Sequence, residues 1–395
     1  MATGPAIAPL PARIGRQNLT SGNKSHESGH GRHADSPQNI PPTGWKDVLW
    51  RTYREINDDR VTLIAAAVTY YLLLALFPTL TAFVSIYGLF VSPATVGEHI
   101  RLLAAVVPEG GMAIIDEQIT RLASTGNTTL GMALLISLAI ALWSASAGIK
   151  TMFEAMNVAY DETEKRNFFV LNGTALLFTL AGIVAGMVMA TTAVVVPAVL
   201  GFVGLRSGIE GMLRVGSYVL LALVLMLSLA ALYRFGPSRQ QAKWRWVSPG
   251  ALLASAIIVV VSLLFSWYAA NFGNYDATYG SLGGLIALLT WMWISVTAVI
   301  IGAELNSESE RQTRRDSTVG ADAPLGYRDA VVADTVGEAV GESDDELAGR
   351  SPEWIDGFNA ARSRFKPARR HSLGAMAAAL PLSLALGAMG RRRRN

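Results

Sequence analysis

The chain contains no cysteine. Disulfides, thiolate zinc sites and a cysteine nucleophile are therefore excluded, and cysteine usage says nothing about redox compartment. Charge is also scarce. Asp, Glu, Lys and Arg make up 16% of the 395 residues, against roughly 25% in a soluble domain. Histidine occurs five times, at His26, His30, His33, His99 and His371. None lies beside an Asp/Glu cluster of ligand spacing, so no metal site and no cofactor is expected. The first 60 residues hold Gly, Pro, Ser and His but no apolar h-region, and a cleavable signal peptide is not expected.

What the chain does have is apolar residues in long runs. They form 51% of the sequence. Six stretches carry no Asp, Glu, Lys or Arg: 61–97, 122–149, 167–205, 215–233, 246–275 and 277–303. Each is at least as long as the about 20 residues a helix needs to cross the hydrocarbon core, give or take a residue. They do not alternate apolar with polar as barrel strands do, and in lipid a helix alone satisfies its backbone within one segment. The sequence thus predicts an all-α integral membrane protein with six transmembrane helices and disordered cytoplasmic tails. The expected spans are 61–90, 130–153, 170–196, 215–233, 249–269 and 282–301.

Orientation follows from the cations near the span ends. Lys46, Arg51, Arg54 and Arg60 precede the first span. Lys150, Lys165 and Arg166 lie between spans two and three. Arg234, Arg239, Lys243 and Arg245 lie between spans four and five, and Arg311, Arg314 and Arg315 follow span six. These 14 residues face the four cations Arg101, Arg121, Arg206 and Arg214 of the opposite loops. The asymmetry predicts that both termini are cytoplasmic.

The chain divides into a tail over 1–44, expected to be disordered, a membrane domain over 45–310, and a polar tail over 311–395. Trp45, Leu49 and Tyr53 fall on one helical face, so 45–60 is expected to be a helix lying at the interface. A second amphipathic helix is expected in the long outer loop, from Met112, Ile115, Ile119 and Leu122. The acidic stretch 307–350 is expected to be disordered. Ser351-Pro352-Glu353 opens a basic membrane-surface helix over 351–366. The uncharged segment 373–390 ends in Arg391–Arg394 and is expected to be interfacial or re-entrant, with a seventh span as the alternative.

Four groups of residues resemble one family. They are Asp59 through Tyr70-Tyr71 to Pro78; Leu142-Trp-Ser-Ala-Ser-Ala-Gly-Ile-Lys150, running on through Met156-Asn157 to Lys165-Arg166; Leu232-Tyr-Arg-Phe-Gly-Pro237 with Trp246-Val-Ser-Pro-Gly250; and Tyr279-Gly-Ser-Leu-Gly-Gly284 through Trp291 to Gly302-Ala-Glu-Leu-Asn306. In this order, over about 45–310, they resemble the YihY family of inner-membrane proteins, also called virulence factor BrkB and formerly ribonuclease BN. The resemblance implies a six-span protein of the bacterial cytoplasmic (inner) membrane. It implies no settled activity. The ribonuclease label needs clustered His and carboxylate ligands, which the five histidines do not supply, so an enzyme is not expected and neither is a nucleic-acid partner.

The candidate site residues are polar or helix-breaking positions within the spans. Pro78 frees the carbonyl near Leu74, and Tyr70 and Tyr71 lie one to two turns earlier. The helix either lines a polar cavity or is buried with its hydroxyls bonded locally. Trp143, Ala147, Lys150, Glu154 and Asn157 share a helical face, and Lys150 and Glu154 have the spacing of an ion pair. Glu304 ends span six at the same level. This face reads as a polar mouth for a substrate or as a snorkelling lysine with its acid partner. Gly283 and Gly284 open span six, either as an anion-holding helix start or for close packing. Together these features favour a transporter-like or flippase-like protein for an amphipathic or anionic envelope substrate such as a lipid. A membrane scaffold that recruits envelope proteins through its tails is the alternative. Membrane lipids are the expected partners, with homo-oligomers and envelope proteins as further possibilities.

Overall fold

The structure is a computed structural model that describes residues 29–88, 130–203, 207–272 and 282–340. The outer loop over 92–129 with its expected helix over 112–122, the helix over 351–366 and the segment 373–390 lie outside the described residues, as do 1–28.

Apolar, unalternating sequence becomes helix throughout. A 3-10 turn at Pro37–Asn39 precedes α1 (Pro42–Asp58), α2 (Val61–Gly88), α3 (Leu130–Ala159), α4 (Phe168–Val203), α5 (Ser207–Phe235), α6 (Trp244–Phe272), α7 (Leu282–Glu310) and the single turn α8 (Val331–Asp334). Among the described residues there is no strand, only one isolated antiparallel bridge between Ala242 and Thr318. The all-α expectation therefore holds, and the expected spans fall on α2 through α7. Four helices are long and apolar enough to cross a membrane over their described residues: Phe168–Thr192, Gly211–Phe235, Trp244–Trp267 and Gly284–Glu310. A fifth joins them if Pro42–Asp58 and Val61–Leu76, bent by 61°, count as one.

The helices form a closed circuit. Each of α2 to α7 packs on its neighbour in sequence, and α7 returns to pack on α2. α7 also touches α1 and α3. Small residues permit the closest approaches. Ala75 and Ala145 are buried between α2 and α3, and a Cβ on Gly148 would press on Ala75 and Leu72. α6 and α7 meet still more tightly, because a Cβ on Gly250 would overlap the Gly302 carbonyl. Two indoles tie α7 to its neighbours: Trp291 Nε1 donates to Ser262 Oγ at 3.1 Å and Trp293 Nε1 to the Thr62 carbonyl at 3.0 Å.

The core sits at the end of the bundle where the 14 cations concentrate. Phe153, Met156, Tyr160, Tyr233, Trp246, Val247, Ile300 and Ala303 are all buried there. The cations fasten this end. Arg166 donates to the carbonyls of Phe235 and Gly236, which end α5, as a cation should at a helix C-terminus. It also lies over the Phe153 ring. Arg239 pairs with Glu310 at 2.7 Å, both side chains buried.

Two expectations of disorder fail within the described residues. Segments 29–44 and 307–340 are folded together over the charged end. Arg51 is the clasp, with 2% of its side chain exposed. It donates from Nε to Glu308 Oε2 at 2.5 Å, from Nη2 to the Glu308 carbonyl and Gln312, and from Nη1 to the Glu338 carbonyl. Asp47 receives His30 Nδ1 at 2.5 Å and the Val340 amide at 3.0 Å. Thr313 Oγ1 donates to the Ala34 carbonyl at 2.7 Å. Low hydrophobicity misleads here because a network of polar bonds, with a few apolar side chains such as Ala34, Ile40 and Val332 reaching the core, holds the segments.

The same bonds explain α1. Of its expected apolar face, Leu49 is 57% and Tyr53 71% exposed, while Trp45 packs against the core. The face it buries is Gly44, Asp47, Val48, Arg51 and Thr52.

Candidate functional site

The candidate residues separate into distinct places rather than one mouth. The first is on α3 and α4. Lys150 sits 5.5 Å above the Trp143 ring, a cation–π distance. Its Nζ donates to Asn172 Oδ1 at 2.9 Å. Asn172 is buried and anchors itself by donating to the Phe168 carbonyl at 2.7 Å. The Phe168 ring lies 6.4 Å from that of Trp143. Trp143 is 48% exposed and Phe168 63%. The result is a half-buried ammonium on an open aromatic shelf, with an indole and an amide as its partners.

Lys150 does not form the expected ion pair with Glu154. The spacing allows it, but Asn172 across the α3–α4 contact captures the ammonium and Glu154 points to the exposed side of α3. A carboxylate partner would cancel the charge of Lys150, whereas an amide and a ring leave it available to an anion.

The second place is the loop after α3. Asn157 is buried and structural. Its Oδ1 accepts the Ser238 amide at 2.7 Å, and its Nδ2 donates to Glu164 Oε2 at 3.2 Å. Glu164 in turn receives Arg166. Burial would raise the Glu164 carboxyl, but the Arg166 guanidinium and amide outweigh it and hold the group at about 2.

The third is the junction of α1, α2 and α7. Glu304 is buried there, 2% exposed. Asp59, at the bend between α1 and α2, lies within side-chain hydrogen-bonding reach of it. Glu55, Asp161, Glu308 and Arg311 surround the pair. Arg311 pairs with Asp161 and reaches Glu308 at 3.0 Å and Glu55 at 3.8 Å.

The other candidates stand apart. Tyr70 and Tyr71 are exposed on α2, their rings edge to face at 5.5 Å. α2 continues through Pro78 to Gly88, and Thr79 Oγ1 donates to the Ala75 carbonyl at 2.6 Å. Gly283 and Gly284 lie in the first turn of α7. Among the described residues nothing lies within 4 Å of a Cβ built on Gly284.

Sequence reasoning passed over Asn172, Phe168 and Glu55, named Asp59 only as the start of a family segment, and counted Arg311 only as a cation near a span end. Asn172 carried a signal, as one amide near the start of a long apolar run. Asp59 carried another, as the last acid before the first span. The partners of each lie on other helices, which periodicity along one helix does not reveal.

Comparison with known proteins identifies the setting. Residues 52–324 match the family model described as virulence factor BrkB. The ribonuclease-like protein YfkH of Bacillus subtilis is 32% identical over 254 residues, 62% of this chain and 88% of its own length. A UPF0761 membrane protein of Photobacterium profundum is 26% identical over 269 residues, 66% of this chain and 80% of that protein. Another, of Alkalilimnicola ehrlichii, is 28% identical over 248 residues, 61% of this chain, which spans only 53% of that relative. No solved structure matches the chain.

Proposed function

Since the chain belongs to the virulence factor BrkB family, whose relatives are named as membrane proteins, we propose that it is a transporter-like or flippase-like protein of the bacterial cytoplasmic membrane, acting on an amphipathic, anionic envelope substrate such as a lipid. It crosses the membrane six times with both termini in the cytoplasm, a reading supported by the 14 to 4 division of cations and by six helices over six apolar runs. It is not an enzyme and takes no cofactor or nucleic acid. Membrane lipids are its partners, and it self-associates or meets envelope proteins within the membrane.

One observation carries the substrate class. The Lys150 ammonium is held by Asn172 and the Trp143 ring, not by a carboxylate. A headgroup phosphate meets an uncancelled cation there, and its acyl chain meets Trp143 and Phe168. A scaffold acting through its tails has less behind it, because 29–44 and 307–340 spend their polar groups on each other and on α1.

The test is transbilayer movement of a fluorescent anionic phospholipid in liposomes holding the purified protein. Movement should exceed that in protein-free liposomes and fall at least several-fold in Lys150→Ala, with a zwitterionic lipid less affected. Movement equal to that of empty liposomes, or unchanged in the variant, removes this reading.

A further inference from the structure

Five carboxyl groups crowd the junction of α1, α2 and α7: Glu55, Asp59, Asp161, Glu304 and Glu308. Two guanidinium groups answer them. Arg311 is shared by Asp161, Glu308 and Glu55, and Arg51 takes the other oxygen of Glu308. Arg54 approaches Glu55 from the exposed side, but its own ion pair is with Glu338 at 3.1 Å. Among the described residues, neither Asp59 nor Glu304 has a cation in ion-pair contact.

Glu304 is 2% exposed, and its Oε1 is buried with no hydrogen-bond partner among the described residues; the Asp59 carboxyl lies within side-chain hydrogen-bonding reach of it. Two ionised carboxylates are both acceptors and repel at contact. One proton between them turns the contact into a charge-assisted hydrogen bond and satisfies a buried oxygen that is otherwise costly. The backbone places Asp59 for this role. It is the C-cap of α1, Arg60 follows in the left-handed region at φ 52°, and the chain turns by 61° into α2. A side-chain-bearing residue held at positive φ marks a site where tertiary contacts override local preference.

We propose that Asp59 and Glu304 together bind one proton, and that this proton holds the bend between α1 and α2 against α7. The ligand is a proton rather than a metal cation, since among the described residues no three His, Asp or Glu side chains are arranged as metal ligands. The pair passes from two protons to one in the neutral range. Burial, with Asp161 and Glu55 adding to it, pushes the Asp59 carboxyl up to about 7 against the opposing pull of Arg311 and the Glu304 contact. Such a pair titrates as a unit. Loss of the proton leaves like charges in contact at the bend and drives α1 from α7. The inference does not depend on the lipid reading above, because the site is at the α1–α2–α7 junction and not on the α3–α4 shelf.

Infrared spectroscopy of the full chain in liposomes tests it directly. The wild type should show the carbonyl stretch of a protonated buried carboxyl, weakening as pH rises through about 7 and persisting above it. Above about pH 7 the band should be absent in Glu304→Gln, whose amide donates the bond to Asp59 without a proton. Thermal melting supplies a second reading on the same variants. A carboxyl raised in the folded state stabilises below its unfolded value and loses that contribution as pH rises through its folded value. Wild-type stability should therefore fall from about pH 4 to about pH 7 through this group, and the fall should be smaller in Asp59→Asn. A wild type with no protonated carboxyl across the titration overturns the proposal. So does a band above about pH 7 that survives Glu304→Gln, or a midpoint that moves when sodium replaces choline, which would make the cluster a cation site.

Discussion

Asn306 grips the opening turns of α6 from across the α6–α7 contact. Its Oδ1 accepts the Gly250 amide at 2.7 Å, and its Nδ2 donates to the Val247 carbonyl at 3.1 Å. The side chain thus bonds backbone on both sides of Pro249. Asn306→Leu leaves a buried donor and a buried acceptor unpaired, at about 1–3 kcal/mol each. Gly250→Ala forces a methyl against the Gly302 carbonyl, an overpacking worth about 1–3 kcal/mol. Both variants should melt several degrees below wild type in detergent, and Leu252→Ala, on the exposed side of the same helix, should not.

Arg51 holds the N-terminal and C-terminal segments together from a fully dry position. Removing one member of a buried pair costs about 3–5 kcal/mol, because the partner charge stays behind. Arg51→Ala leaves buried Glu308 to Arg311 alone and frees the Glu338 carbonyl. Limited proteolysis should then cut within 311–340 much faster than in wild type, with the bundle fragment left intact. Arg51→Lys keeps the charge but not the fork of donors, and should give an intermediate rate.

Glu164 supplies a pH test outside the bundle. Its folded value, about 2, lies below the unfolded one of 4.5. Such a group stabilises above the unfolded value and loses the contribution as pH falls through the folded one. The difference in melting temperature between wild type and Glu164→Gln should be full near neutrality and shrink as pH drops from about 4.5 toward about 2. The partners are half open to water, so the difference should be modest.

Reporter fusions after Arg166, Arg245 and Arg315 should all report the cytoplasmic side, and a fusion after Asp276 the outside. An external signal after Arg315 would mean an odd number of crossings.

Much of this was legible along the chain. The all-α class, the helical spans expected over 61–90, 130–153 and 282–301, and the clustering of cations at one end follow from composition and periodicity. Helix is a local solution that lipid makes obligatory, and charge near a span end is costly wherever the rest of the chain goes. The spacing of Lys150 and Glu154 was legible too, but not its outcome. Asn172 on another helix competes for the same ammonium, and a pattern within one helix carries no information about that competitor.

The tertiary structure alone decided how the polar residues are used. The sequence made Arg51, Arg166, Arg239 and Arg311 markers of sidedness; folding made them ion pairs and helix caps that join segments up to 287 residues apart. It also brought Asp59 to Glu304, residues at opposite ends of the membrane domain, by closing α7 onto α2. Apolar burial depends on how many residues of a kind a segment holds and at what period, so sequence determines it. A hydrogen bond or ion pair depends on the position of two particular atoms to within a fraction of an ångström, and only the packed helices supply that.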